Sequence, residues 1–397
     1  MRAYSASSEE ALRARDLLKD WTREGFLTEA QYQQMEQETV VELRRTNIFL
    51  RLVLFFFTVI IVGAAVGLFI VLLRPAGQGI GILLLIFAAG SYTAAELAVS
   101  EARLYRFGIE EGLAACAVGF LCAGMYTTFF SNQTSQAPPQ FLVPATGAIA
   151  SIWIWHRFGL PYAPLAAMIF VLWMPDYWTP SLSVRHVIVA AFYAVGLFLV
   201  AALRSRHRFT FLNDRYSVAE ALLWLGIYLV INLQVVINLQ LLPVNLFGPV
   251  SRVTPAEFSR PFYWATWVLT WCLPPLIIAR GLRQRDRFII AVGAIVSILT
   301  LITNKPYLGW TRHTWDPMLL GALLIGVALI LRRWLAAGPG EVRRGFTARR
   351  LSGKDHTWMS SAAVALVSPN IVTPSPQSPD VRFGGGKSGG GGATSDF

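Results

Sequence analysis

Ten apolar segments follow one another along the chain, and most have the length that crosses a bilayer. A transmembrane helix needs about 20 apolar residues, with about 17 to 25 tolerated, and unpaired backbone groups are excluded from hydrocarbon. The chain is 54% hydrophobic and 14% charged, against roughly 25% charged residues in average soluble domains. The sequence therefore predicts an all-α, polytopic transmembrane bundle of about ten spans, at residues 48–73, 79–99, 112–130, 141–156, 160–175, 185–203, 217–241, 262–279, 288–303 and 316–335.

The fourth and fifth predicted spans are short, and Pro144, Pro161 and Pro164 interrupt or flank them. They are either two full crossings or a re-entrant pair, and the orientation of later spans is the same in both cases. With the N-terminus inside, the predicted inner segments hold twenty Lys and Arg residues and the outer loops hold six. Because positive residues concentrate on the cytoplasmic side, both termini are predicted to be cytoplasmic in a cell (inner) membrane.

Residues 1–47 precede the first span, are mostly polar and are predicted to form a cytoplasmic helical hairpin. Gly25 is placed to end a first helix over 8–24, and Thr28 with Gln31 forms a capping-box pattern that starts a second helix over 29–46. The hairpin either docks onto a protein surface or merely positions the first span. The candidate docking residues share the apolar side of the first helix or follow it: Leu17, Trp21 and Phe26.

The segment from Trp21 to Tyr32 carries a short motif, Trp21, three residues, Gly25, two apolar residues and Thr28. It resembles the N-terminal hairpin of an uncharacterised class of predicted bacterial multi-pass membrane proteins. The resemblance covers about the first 50 residues; beyond them only the hydropathy profile is similar. It implies a membrane-embedded body and brings no activity and no catalytic residues.

Residues 48–335 form the predicted transmembrane bundle, and residues 336–397 are predicted to be a disordered cytoplasmic tail. The tail is rich in Pro, Ser and Gly, a composition that buries too little apolar area to offset the entropy of ordering. It is either a flexible end or a recognition tag. One stretch, 358–367, is apolar enough to touch the membrane surface and too short to cross it.

The sequence offers no catalytic motif. None of the five histidines pairs with another His at helical spacing, so no zinc-type ligand set is predicted. The three cysteines fall within spans and are expected to be free thiols. The Gly-Lys-Ser run at Gly386 lacks the earlier glycine and the strand-to-helix setting of a phosphate loop. We therefore expect no catalytic, cofactor or metal site, and enzymatic activity is not favoured.

The seventh predicted span carries most of the functional information. Glu220, Gln234 and Asn238 lie within about 40° of one another on a helix of 3.6 residues per turn, while Asn232 and Gln240 point elsewhere. Such a polar seam faces a bundle interior, because these groups are costly against lipid. It serves either ordinary interhelical hydrogen bonding or a solute path, and the sequence leaves both open.

Two further expectations concern residues near that seam and near the inner interface. Two valines beside the seam are predicted to face lipid: Val230 and Val236. Four glutamates at the ends of spans two and three are predicted to be solvated at the inner interface: Glu96, Glu101, Glu110 and Glu111.

The best functional interpretation is a membrane scaffold, regulatory or accessory protein without catalytic activity. Its partners would be the lipid bilayer and proteins bound through residues 8–46 and the tail. Nucleic acid is not expected, since the basic residues sit in short runs between spans. The alternative is a small-solute transporter or channel using the polar face of span seven. A weaker alternative is a membrane enzyme acting on lipid-linked substrates.

Overall fold

The computed structural model describes residues 3–4, 6–23, 25–39, 43–44, 46–129, 140–206, 215–235, 258–284, 286–310, 313, 315–338, 342–343 and 346–347. A short 3₁₀ turn, Met174–Tyr177, follows the seventh helix. Two antiparallel strands of two residues each follow the last helix, β1 (Val342–Arg343) and β2 (Phe346–Thr347). The described helices are α1 (Ala6–Arg23), α2 (Glu29–Glu38), α3 (Ile48–Leu73), α4 (Gln78–Ser100), α5 (Ile109–Phe129), α6 (Leu142–Phe158), α7 (Ala163–Trp173), α8 (Leu182–Arg206), α9 (Arg215–Ile231), α10 (Arg260–Gln284), α11 (Arg287–Tyr307) and α12 (Asp316–Ala336).

Each of the ten predicted spans overlaps one of the helices α3 to α12. Seven of these helices are long and apolar enough to cross a membrane, namely α3, α4, α5, α8, α10, α11 and α12. The prediction of an all-α fold with several helices able to span a membrane is therefore confirmed. The helices α6, α7 and α9 have 17, 11 and 17 residues, so the count of ten spans stays a prediction.

The capping box at Thr28 is present and explains where α2 begins. The Thr28 hydroxyl accepts from the Gln31 amide at 3.3 Å, and the Gln31 side chain accepts from the Thr28 amide at 3.0 Å. Gly25 makes the preceding turn with φ of 78°, a conformation that glycine adopts at little cost. The second helix ends at Glu38, so the expected length to residue 46 was wrong.

Asn232 ends α9 well before residue 241, where the seventh span was expected to finish. The Leu233 amide donates to the Tyr307 hydroxyl at 2.8 Å rather than to the carbonyl of the turn before it. The Asn232 side chain accepts from the Val235 amide at 3.3 Å, as asparagine does at helix starts. Protein groups thus satisfy the backbone that the interruption exposes, the condition for irregular backbone at membrane depth. Residues 236–241 lie outside the described part of the chain.

Glycines let the helices in the first half of the bundle approach one another closely. The helices α4 and α5 meet at Gly81 and Gly124, where a Cβ on Gly124 would lie 2.9 Å from the Gly81 carbonyl oxygen. At the start of α5, a Cβ on Gly112 would lie 2.9 Å from the Thr58 Cβ of α3. These glycines allow α5 to pack tightly against both neighbours.

The chain before and after the hairpin is fixed to the α4–α5 loop and to the end of α6. The Ala3 amide donates to the Arg157 carbonyl at 3.0 Å, and the Tyr4 hydroxyl donates to the Leu104 carbonyl at 3.1 Å. On the other side of the hairpin, Arg44 exchanges backbone hydrogen bonds with Arg103 and Tyr105, each of 2.9 Å. Both ends of the hairpin segment therefore attach to the same end of the bundle.

Candidate functional site

A group of charged and polar side chains joins α8, α9, α10 and the start of α11. We call it the ion cluster. Arg204 is central: its guanidinium donates to Glu220 at 2.8 Å, to Gln284 at 2.7 Å and to Asp286 at 2.5 Å. The cluster comprises Arg204, Ser217, Glu220, Arg280, Gln284 and Asp286.

The two carboxylates of the ion cluster are buried and fully partnered. Glu220 also accepts from Arg280 at 3.1 Å and from Gln284 at 3.4 Å. Asp286 also accepts from the Ser217 hydroxyl and caps α11 through two backbone amides. Two arginines balance two carboxylates, so the cluster is neutral overall. Buried charges of this kind persist only when paired and hydrogen-bonded, and this arrangement ties four elements together.

A second group, which we call the hydroxyl network, crosses the bundle between α9, α10 and α11. The Asn232 amide donates to the Tyr228 hydroxyl at 2.7 Å and to the Thr303 hydroxyl at 2.9 Å. The Tyr228 hydroxyl and the Thr300 hydroxyl are 2.9 Å apart, and Thr300 reaches the Thr270 carbonyl at 3.0 Å. The five residues are all buried.

The hydroxyl network contains one bond whose donor is fixed and one whose donor is not. The Asn232 amide can only donate, so the Tyr228 hydroxyl accepts from it, whereas either of the Tyr228 and Thr300 hydroxyls can donate to the other. The Thr300 hydroxyl lies within donating distance of the Val296 carbonyl and of the Thr270 carbonyl. The Thr270 carbonyl lacks a helical donor since residue 274 is a proline inside α10. Each polar group in this path has a partner without water.

The predicted polar seam does not form one site. Glu220 belongs to the ion cluster, whereas Gln234 donates to the Tyr263 hydroxyl at 2.8 Å. Their separation of fourteen positions along the chain corresponds to about 21 Å of helix at 1.5 Å per residue. Asn238, and Val236 beside it, lie outside the described residues. Val230 is buried in the bundle core, so the prediction that it faces lipid was wrong.

The glutamates expected to be solvated are mostly engaged inside the bundle. The two carboxylate oxygens of Glu96 accept from Nε and Nη2 of Arg157, at 2.6 and 2.8 Å. Glu111 is buried and pairs in the same manner with Arg51 of α3. Glu110 is buried as well, so solvation was the wrong expectation for Glu110 and Glu111, whereas Glu96 is half-buried. Glu101 is exposed.

Glu110 has one carboxylate oxygen without a hydrogen-bond partner among the described residues. One carboxylate oxygen, Oε1, accepts from the Phe107 amide at 2.7 Å. The other, Oε2, is buried without a partner, and the same is true of the Tyr162 hydroxyl. The pairs formed by Glu96, Glu111 and Glu220 make Glu110 the exception among the glutamates buried or half-buried in the described helices α4, α5 and α9.

The hairpin has a small core of its own and exposes the aromatic candidates. Leu12, Leu18 and Tyr32 are buried, whereas Trp21 is 46% and Phe26 is 74% exposed. Trp21 is therefore not a buried anchor within this chain. The side chain of Leu17 lies outside the described residues. Docking of this surface onto a partner stays a prediction.

An ion pair between the two helices closes the hairpin. The Arg15 guanidinium donates to the Glu36 carboxylate and holds the pKa of that carboxyl below its usual range. Glu36 is solvent-accessible, so the pair adds little stability at neutral pH but makes the contact between α1 and α2 sensitive to acid.

In the described part of the chain, no group of three or more His, Cys, Asp or Glu side chains could hold a metal ion. The described histidines and cysteines lie apart, with Cys116 buried in α5 and Cys272 exposed on α10.

Sequence reasoning missed the counter-ions Arg204, Arg280 and Asp286. Asp286 carried a usable signal, because an aspartate directly before an apolar run is a typical helix N-cap. Arg204 and Arg280 were counted only as orientation signals at span ends. No local spacing links them to Glu220, which lies 16 and 60 residues away.

The chain has no match among known proteins in three comparisons. No family model, no curated protein and no solved structure matches it. The function must therefore be argued from the networks and surfaces described above.

Proposed function

We propose that this protein is a multi-pass scaffold or accessory protein of a cell (inner) membrane, which presents its N-terminal hairpin to a protein partner. The observation that carries the proposal is that the polar side chains on α9 and just after it are bonded to other helices. Glu220, Asn232 and Gln234 each form hydrogen bonds with neighbouring helices. A bundle whose internal polar groups bind one another is rigid and offers no wet path along this face.

The hairpin supplies the surface for a partner. It is fixed to the bundle at both ends through Tyr4 and Arg44, and it exposes Trp21 and Phe26 to solvent. Aromatic residues are enriched among the side chains that dominate protein interfaces. Exposed aromatics on a fixed hairpin favour a docking role over simple positioning of α3.

The topology that goes with this proposal has ten spans and both termini in the cytoplasm. The excess of Lys and Arg, twenty against six, supports this orientation. The edge-to-face contact between Trp155 and Tyr216 fits the alternation of the spans, since it brings the end of α6 and the start of α9 to the same side of the bundle. A periplasm-active reporter should give no signal when fused at Gly353 and a strong signal at Arg252. The reverse pattern would overturn the topology.

Site-specific photo-crosslinking in cells tests the scaffold proposal. A photoreactive residue at Phe26 should capture a discrete protein partner. The matched control is Ile60 of α3, which is similarly exposed on a span and should capture lipid only. A Phe26 position that captures no protein, in cells where the protein is inserted normally, would contradict the proposal.

Two observations favour transport as the second candidate function. The helix α9 is interrupted at Asn232, and interrupted helices line the binding sites of many transporters. The partnerless Glu110 Oε2 is the kind of intramembrane group that marks ion pathways. If a water-filled path ran through the bundle, a cysteine placed at position 234 would react with a water-soluble thiol reagent. In the scaffold this position is closed to water.

A further inference from the structure

The hairpin combines exposed apolar side chains with an excess of acidic charge. Trp21, Phe26 and Met35 are 46%, 74% and 40% exposed. From Ala6 to Glu38 the chain holds eight Asp or Glu residues against four Lys or Arg. This surface suits a segment that is basic and apolar together, because opposite charge and apolar burial then act in the same place.

The chain contains such a segment after its last helix. After β2 the chain holds three basic residues, Arg349, Arg350 and Lys354, against one acidic residue, Asp355, and the apolar stretch 358–367 follows. We propose that residues 348–367 dock onto the hairpin of the same molecule and cover its aromatic side chains until a partner displaces them. The excess of two basic charges in this segment is opposite in sign to the excess of four acidic charges in the hairpin.

The reach of the chain permits this contact. The described part ends at Thr347 of β2, so twenty further residues lead to position 367. A flexible chain of that length covers about 25 Å on average, and about 70 Å at full extension. Because each helix is about 10 Å wide, that reach spans several neighbouring helices of the bundle. The inference rests on the topology proposed above, which puts the tail and the hairpin on one side of the membrane.

Anionic lipid is the less favoured occupant of the hairpin. A surface with excess acidic charge is repelled by an anionic leaflet, whereas it attracts the arginines at 349 and 350. The basic segment alone would bind that leaflet, so the test must report on the distance between hairpin and tail.

Spin labels at Met35→Cys and Ala363→Cys measure that distance in the full-length protein, in nanodiscs, with the three native cysteines replaced. We expect a narrow distance distribution that persists when labelled protein is diluted with an excess of unlabelled protein. It should broaden in Arg349→Glu/Arg350→Glu, and also in about 1 M salt, where the screening length falls to about 3 Å. The matched control Arg382→Glu/Lys387→Glu, further along the tail, should keep the narrow distribution.

Each other outcome overturns the proposal in a distinguishable way. A broad distribution in the starting protein, unchanged by the Arg349 and Arg350 substitutions, means that the tail does not dock. A narrow distribution that vanishes on dilution means that the occupant is a second copy. A Met35 label that is relaxed by a membrane-dissolved reagent means that lipid covers the hairpin. A reporter signal at Gly353 would refute the topology itself, whereas docking alone can fail with that topology and the scaffold function intact.

Discussion

Replacing Arg204 by Met tests whether the ion cluster holds the second half of the bundle together. Arg204 bonds to Glu220, Gln284 and Asp286, and methionine fills the space of its stem without the charge. Asp286 keeps Ser217 and two backbone amides. Glu220 stays buried with only Arg280, at 3.1 Å, as a cation.

The expected cost follows from the stranded charge. Removing one partner of a buried ion pair costs about 3–5 kcal/mol, because the other charge stays away from water. The matched control is Arg185→Met, which breaks a pair with Asp176 whose side chain is 54% exposed. Exposed pairs of that kind contribute about 0.2–1 kcal/mol.

Equilibrium unfolding in mixed micelles, monitored by the circular dichroism of the helices, gives the free energy of unfolding of Arg204→Met and of Arg185→Met. Arg204→Met/Glu220→Gln should be more stable than Arg204→Met, by about 1–2 kcal/mol, since the stranded carboxylate is gone. The reasoning is refuted if Arg204→Met costs no more than Arg185→Met, or if adding Glu220→Gln lowers stability further.

Three further predictions concern the hydroxyl network, the hairpin and the packing of α5. Asn232→Leu should lower the free energy of unfolding by about 1–3 kcal/mol, and an unchanged value would contradict the network. Arg15 lowers the pKa of Glu36, so the protection factors of the α2 amides, which are exchange rates corrected for the intrinsic rate at each pH, should stay constant above the ordinary glutamate pKa of about 4.3 and decrease as the pH falls below it. Glu36→Gln should remove this pH dependence; an equal dependence in both proteins argues against the pair. Gly112→Ala should destabilise by about 1–3 kcal/mol, whereas Gly63→Ala, with open space around it, should not; equal effects would refute the close approach.

The position of each helix followed from the sequence because length and hydropathy are local properties. The first span was expected at 48–73 and α3 is Ile48–Leu73. The end of α9 did not follow, because an apolar run continues past residue 232. What stops that helix is a set of tertiary bonds from Asn232 and Leu233 to α11, which no local pattern encodes.

The candidate site was predictable in its residue types and not in its partners. The helical wheel put Glu220 and Gln234 on one face, and both are buried. The wheel could not tell that they enter separate networks, fourteen positions apart along the chain. Glu111 was expected in solvent because its cation, Arg51, lies 60 residues earlier. Val230 was expected in lipid because apolar residues alone do not reveal which side of a span meets protein.

Water accessibility at Thr303 tests most directly whether the bundle interior is closed. Thr303→Cys is nearly isosteric and lies in the hydroxyl network, and Gln234→Cys extends the test to the predicted seam. The water-exposed control is Trp310→Cys just after α11, which is 63% exposed, and the lipid-facing control is Val268→Cys, which is 50% exposed on α10. All four are made without the native cysteines and treated in intact membranes with a charged thiol reagent.

A closed scaffold predicts that Thr303→Cys and Gln234→Cys stay as unreactive as Val268→Cys until the protein is denatured, while Trp310→Cys reacts at once. Reaction at Thr303 and Gln234 at a rate close to that of Trp310 would contradict the account, because the same residues would then line a water-filled path.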